Sequence, residues 1–362
     1  FGGDEFVILL PAMNRVAAQE VSEQIVACFD HGVDVGAHNL PVTASVGIAV
    51  GPQDGRDADE LMQHADLALY EAKAQGRNRA ISFAWSMKER FHRIHEIETG
   101  LRRAITRNEL QLHFQPIFEV ETGRIAICEA LLRWNHPTLG MVMPGEFIPI
   151  AESIGLIEPM TDWVIREACT IAIQWPENVR VAVNISPASL KSGELPRTII
   201  ATLMETGLSA ARLELEVTES LFLNEDGQTH QMLRELQQIG LRLVLDDFGT
   251  GYSSLAYLRA YHFDGIKIDR SFMNGVAVSR EDQAIVRAVG HLADALEMEI
   301  VAEGIETVEQ LHYARDAGIH NVQGFLMSPA KPPAVITDMV LRGVTIGDAM
   351  AANARKPAAR RA

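Results

Sequence analysis

The chain is short of several things that would fix its class at once. No apolar run approaches the ~18–20 residues that a membrane-crossing helix needs. No CxxC pair occurs, and the three cysteines, Cys28, Cys128 and Cys169, are scattered. That excludes a disulfide scaffold and reads as free thiols in a reducing compartment. Positive charge is scarce as well: 32 Lys and Arg stand against 48 Asp and Glu, a net charge of −16. A partner that is a nucleic-acid polymer demands a basic footprint, so that class is excluded. A small phosphate ligand stays open, because metal ions can supply positive charge locally. What remains is an ordinary globular composition, 47% hydrophobic and 22% charged over 362 residues. At ~100–200 residues per domain this is one large domain or two to three smaller ones. The chain starts at Phe1 with no signal peptide and reads as a fragment beginning inside a domain.

Patterning divides the chain. The first ~80 residues read as mixed α/β. Strands are expected at Phe6–Leu10 and Val42–Val50, the second ending at Gly51-Pro52, and an amphipathic helix at Asp59–Ala74. Trp85–Arg107 reads as a connecting helix with Phe91, Ile94, Leu101 and Ile105 on one face. His92 and His95 sit there beside Glu96, too few ligands for a metal site, so a solvated face is the better reading. From Leu110, short apolar strands alternate with helical stretches. Eight strands are expected: Leu112–Phe118, Ile125–Leu131, Val179–Ile185, Leu213–Val217, Leu241–Leu245, Gly265–Ile268, Glu299–Ala302 and Val322–Leu326. The first two flank Glu121-Thr122-Gly123, a hairpin signal, so that pair is expected to be antiparallel. Helices are expected at Thr198–Thr206 and Gln228–Ile239, each stopped by a glycine. The count and the size suit a (β/α)8 TIM-like barrel.

Polar groups recur at the ends of these strands. Glu129, Asn184, Glu216, Asp246, Asp247, Lys267, Glu303 and Gln323 each stand at or near such an end. In a barrel those ends converge on one face, where active sites lie. Carboxylates and an amide are hard oxygen donors, and without cysteine or histidine they suit Mg2+ or Mn2+. Crowded acids repel, and two divalent cations would largely cancel the charge; paired metals commonly serve phosphodiester hydrolysis. Any one of these acids could simply cap the next helix, and Asp246–Gly251 could be an ordinary turn. Caps, however, do not require acids at so many strand ends together. Gly249-Thr250-Gly251 lacks the third glycine of a dinucleotide loop and reads as a mobile loop over the site.

The ordered set FQPI (114–117), EALLRW (129–134), GEFIPIAE (145–152), NIS (184–186), EVTES (216–220), DDFGTGYSSL (246–255), KID (267–269), AEGIET (302–307) and QGF (323–325) resembles the EAL phosphodiesterase domain. The resemblance covers residues ~95–340. It implies hydrolysis of cyclic di-GMP to linear pGpG with two Mg2+ or Mn2+ ions. It implies metal ligands at Glu129, Asn184, Glu216, Asp246, Asp247 and Glu303, with Asp246 as the bridge. Asp247 and Lys267 would position the attacking water, with Glu303 and Gln323 completing the catalytic set. Arg133 matches a substrate-phosphate contact, Gln115 a ligand contact, and Glu219 the anchor of the glycine-rich loop. That loop lies near the family's dimer interface, so a homodimer is implied.

FGGDEF (1–6), VTASVGIA (42–49) and ADLALYEAKAQGRN (65–78) resemble the C-terminal half of a GGDEF diguanylate cyclase domain. Gly2, Gly3, Asp4 and Glu5 carry the signature turn, and Lys73 and Arg77 match triphosphate contacts. The front half is absent, so this portion should not make cyclic di-GMP. The implied organisation is a partial α/β GGDEF domain (1–83), a linker helix (84–107), the barrel with one antiparallel strand (108–342) and a flexible tail (343–362). Two alternatives stay open: a non-catalytic cyclic di-GMP receptor, and a bifunctional or GTP-regulated parent protein. A cytoplasmic catalytic portion is expected, with room for a membrane anchor ahead of Phe1.

Overall fold

The computed structural model describes residues 4–36, 38–190, 193–223, 227–249, 257–258, 261 to 354. The chain separates into two compact units, Phe1–Thr99 and Gly100–Ala362.

In the first unit the helix Arg15–Ala27 starts at Asn14, whose side chain accepts from the Ala17 amide. The hairpin β1 (Val33–Val35) and β2 (His38–Leu40) follows, and then β3 (Val46–Ile48) pairs in parallel with β4 (Ala80–Ser82). Helix Ala58–Ala74, capped by Asp57, packs against β3. Its backbone lies so close that a Cβ on Gly47 would sit 2.0 Å from the Ala65 carbonyl oxygen, which admits only glycine there. The strand expected at Phe6–Leu10 does not form. Phe6 and Leu9 are 86% and 88% exposed, and no described strand pairs with the segment. Apolar β-formers make a strand only where a neighbour offers a ladder. The second expected strand shrinks to β3. Among the described residues no helix is long and apolar enough to cross a membrane.

Helix Trp85–Ala104 leads into the second unit, with His92, His95 and Glu96 exposed as expected. Nine strands follow: β5 (Leu110–Glu119), β6 (Ile125–His136), β7 (Gly140–Val142), β8 (Arg180–Asn184), β9 (Leu213–Thr218), β10 (Arg242–Phe248), β11 (Gly265–Ile268), β12 (Glu299–Ala302) and β13 (Asn321–Val322). Eight of them close a ring in the order β5-β13-β12-β11-β10-β9-β8-β6, with β6 returning to β5. β5 is antiparallel to both neighbours and all other ring pairings are parallel. The extra strand β7 hangs antiparallel on β6 outside the ring, and is too short to have been read from the pattern. The last strand ends at Val322, not at Leu326. A Cβ on Gly324 would meet the Ile305 carbonyl oxygen at 2.1 Å, so the chain turns there to pack backbone against backbone. Residues 346–354 correct the expected tail. They form a helix whose Ile346 and Ala349 are buried, started by Thr345 and Asp348 bonding each other's backbone. Residues 355–362 lie outside the described residues.

Alternation along the strands builds the barrel interior in layers. At the end where the parallel strands begin, Glu214 accepts from Arg180 at 2.9 Å and from Arg242 at 3.1 Å, and Glu299 pairs with the same two arginines at 2.7 and 3.3 Å. Above them Ile117, Ile127, Ala182 and Val301 form an apolar plug. The next layer up is the set of strand-end acids.

The ionic layer is matched, two cations to two anions, so removing one member strands the others. Glu214→Ala should cost about 3–5 kcal/mol in chemical unfolding, with circular dichroism of the folded state unchanged. A loss below about 1 kcal/mol would show that the network adds nothing to the fold.

Candidate active site

Glu129 on β6, Asn184 at the end of β8, Glu216 on β9, Asp246 on β10, Lys267 on β11, Glu303 just past β12 and Gln323 just past β13 converge at one mouth of the barrel. Lys267 is the hub. Its side chain is 1% exposed, and its Nζ lies 2.6 Å from Glu303, 3.1 Å from Glu216, 3.3 Å from Asp246 and 3.7 Å from Glu129. Glu129 is gripped at both oxygens: Asn184 donates to Oε1 at 2.8 Å and Gln323 to Oε2 at 2.6 Å. Two buried oxygens, Glu216 Oε2 and Gln323 Oε1, have no hydrogen-bond partner.

Asp247 follows Asp246 directly, and in a regular strand its side chain would point the other way. The β10–β11 register shifts between Leu245 and Phe248, and Asp247 takes a left-handed backbone with φ 55°. This irregularity re-aims the second carboxylate. Ligand oxygens of Asp246, Asp247 and Glu303 lie within 4.8 Å of one another, a spacing that could hold a metal ion.

The electrostatics are those of an uncompensated acidic crowd. Burial, opposed by Lys267 and reinforced by Glu129, Asp246 and Glu303, pushes Glu216 well above the usual carboxylate range. Burial, against Lys267 and with Asp246 and Glu129, raises Glu303 to about 7. Asp247 is raised by burial first and by Asp246 and Asp269 next. Burial alone would lower Lys267, but Asp246, Glu129, Glu216 and Glu303 together hold it well above its ordinary value. One ammonium thus faces four carboxylates. All the donors are oxygens, and Glu216 Oε2 is a buried oxygen with no hydrogen-bond partner. Divalent magnesium or manganese fits such a set.

The remaining expected residues fall as follows. Gln115 on β5 stands in register with Glu129 and donates to the Ser328 carbonyl at 3.4 Å. Arg133 lies further along β6 and donates to the Leu132 carbonyl. Glu219 is buried and accepts from the Tyr257 hydroxyl. Thr250–Ala256, and with them most of the loop expected to be mobile, lie outside the described residues, as do Gly2 and Gly3. Asp4, Glu5, Lys73 and Arg77 are exposed. Two features went unread in the sequence. Ser186, two past Asn184, donates to Glu152 and so ties down the turn after β8. His113 is brought by the β5–β6 register onto the same wall as Glu129. The signal for the second was present in the alternation of His113, Gln115 and Ile117.

Residues 98–330 match the family model described as EAL domain, and residues 1–79 match the one described as diguanylate cyclase, GGDEF domain. The chain belongs to the EAL-domain family. It is 38% identical to the cyclic di-GMP phosphodiesterase NbdA of Pseudomonas aeruginosa, over 94% of this chain and 44% of NbdA. It is 34% identical to the cyclic di-GMP phosphodiesterase PdeR of Escherichia coli, over 91% of this chain and 50% of PdeR. The chain therefore spans half or less of the length of these curated relatives. Its barrel is similar to a solved structure of the PaMucR phosphodiesterase in complex with c-di-GMP. That match has a TM-score of 0.64 and 37% identity, covering 67% of this chain and 99% of that one.

A carboxylate whose folded-state pKa is raised binds its proton more tightly in the fold than in the unfolded chain. Its favourable contribution holds at low pH and is lost as pH rises through the folded value. In chelator, the wild-type chain should lose on the order of 2 kcal/mol between pH 5 and 8 from Glu303. Glu303→Gln should flatten that slope in a series of melts. An identical slope in the variant would remove Glu303 as its source.

Proposed function

We propose that this chain hydrolyses cyclic di-GMP to the linear dinucleotide pGpG with two divalent ions, magnesium or manganese. The observation that carries the reading is the convergence of Glu129, Asn184, Glu216, Asp246, Asp247 and Glu303 around Lys267, with more negative charge than the lysine can balance. Those six side chains would hold the ions. When bound, such ions lower the pKa of water and stabilise charge on the attacking and leaving oxygens. The phosphodiesterase names of NbdA and PdeR and the c-di-GMP complex of PaMucR support the choice of substrate.

In this reading the protein's own groups divide the work. Asn184 and Gln323 fix the Glu129 carboxylate so that neither oxygen swings away. Lys267 and Asp247 orient the attacking water, and Lys267 keeps its proton because four acids surround it. Glu303 and Gln323 hydrogen-bond at the reaction centre. Arg133 presents a guanidinium fork suited to a substrate phosphate, and Gln115 meets the ligand beside Glu129. Glu219, through Tyr257, anchors the far end of the glycine-rich loop. The reading extends to a homodimer, to a catalytic portion in the cytoplasm, and to GTP acting at the complete GGDEF domain of a longer protein. Residues 1–83 would be the GGDEF portion and 84–107 the linker helix, with the barrel starting at 108.

Glu129→Ala should lower turnover at least about a thousandfold while the fold survives, because it removes a metal ligand from an overcrowded acidic pocket. Chromatography of cyclic di-GMP and pGpG with Mg2+ or Mn2+ reads the rate, and chelator should abolish the wild-type reaction. A folded wild-type chain that turns over nothing with either ion would reject the function. Near-parental rates in Glu129→Ala would reject the ligand assignment.

A further inference from the structure

We propose that His113 is a substrate-recognition residue: it hydrogen-bonds a guanine base edge at the rim of the barrel, while Arg133 takes the phosphate. This deepens the reading above and rests on it. β5 runs against the other ring strands, so its first half reaches the rim where their C-terminal ends lie. Along the β5–β6 pair, Ile117 stands opposite Ile127, Gln115 opposite Glu129, His113 opposite Leu131 and Gln111 opposite Arg133. Ile117 and Ile127 belong to the interior plug, and Glu129 meets Lys267 inside the barrel. Residues two apart on a strand share a face. His113 therefore faces the interior, one step above Gln115 and Glu129 and one step below Arg133, on the wall a substrate must pass.

Its chemistry suits a base rather than a phosphate. His113 is half-buried, and among the described residues neither of its ring nitrogens has a hydrogen-bond partner. His320, by contrast, is exposed and still accepts from the Ile300 amide. Burial, with Arg133 nearby, pushes the His113 imidazole below its ordinary value. At neutral pH the ring is then uncharged, with one N–H donor and one acceptor. A guanine edge offers acceptors at O6 and N7. A phosphate calls for a cation, and the adjacent guanidinium of Arg133 supplies it.

The test is calorimetric binding of cyclic di-GMP to the whole chain in chelator, alongside turnover with Mn2+. His113→Ala should weaken binding and raise KM about five- to tenfold, leave kcat within about twofold, and leave the melting temperature unchanged. His113→Gln, which keeps a neutral donor and acceptor, should recover most of the affinity, whereas His113→Phe, which keeps only the ring, should not. Hydrolysis of bis(p-nitrophenyl) phosphate, which has no base, should be the same in all four proteins. Affinity and KM equal to the parent in His113→Ala, or an equal loss on the baseless diester, would overturn the assignment. If the parent binds and turns over the baseless diester but not cyclic di-GMP, the proposed substrate fails instead, and the role of His113 fails with it.

Discussion

Everything at the working end of this barrel depends on one ammonium group and the carboxylates pressed around it. Lys267 is almost fully buried and within 3.7 Å of four acids. An isolated lysine could not stay charged there, because burial penalises the charged form. The acids could not all stay ionised without it. Each therefore holds the other in place, and the balance still leaves negative charge in excess. That excess is the property on which function can be built. It is a standing demand for cations, kept at a fixed place by strands whose backbones are locked by the ring.

The opposite end of the same interior shows what a purely structural charge cluster looks like. Arg180, Arg242, Glu214 and Glu299 are also buried or half-buried, also carried by ring strands, and also within ion-pair distance. There the count closes, two cations to two anions, and the guanidiniums share both carboxylates. Four aliphatic side chains separate the two ends. One layer satisfies itself and the other does not, although both set charged side chains inward from strands of one ring. The ratio of charges, more than the presence of charged residues in a core, separates the site from the scaffold.

Much of this was legible in the sequence. Seven of the ring strands fall within a few residues of their expected places, because a parallel strand covered by helices is a short apolar run between turns. The antiparallel hairpin was announced by Thr122-Gly123. The polar strand ends were visible because each interrupts such a run. What could not be read was whatever depends on a partner far along the chain. The segment Phe6–Leu10 has strand composition and no ladder to join. Val322–Leu326 has it too, yet Gly324 presses against Ile305 and ends the strand early. Glu214 and Glu216 look alike in LELEVT, and only the arginines on the adjacent strands β8 and β10 show that Glu214 sits in a matched ionic layer while Glu216 shares one lysine with three other acids. His113 was legible only in part: alternation puts it on one face with Gln115 and Ile117, but that this face points inward is set by register with β6.

The bulge at Asp246 and Asp247 shows how far local irregularity carries the site. Alternation supplies one interior group per two residues on each strand, so an eight-stranded ring offers few donors in any one layer. Crowding several carboxylates toward one point needs more than alternation gives. The register shift against β11 and the left-handed backbone at Asp247 supply the extra donor by turning two consecutive residues to one side. Such a backbone is costly for a residue with a Cβ, though aspartate tolerates it better than most. The fold carries that strain where β10 meets β11, next to the lysine that organises the acids. The least regular stretch of the ring therefore coincides with the place where oxygen ligands are densest. Regular strands alone could not put Asp246, Asp247 and Glu303 within 4.8 Å of one another.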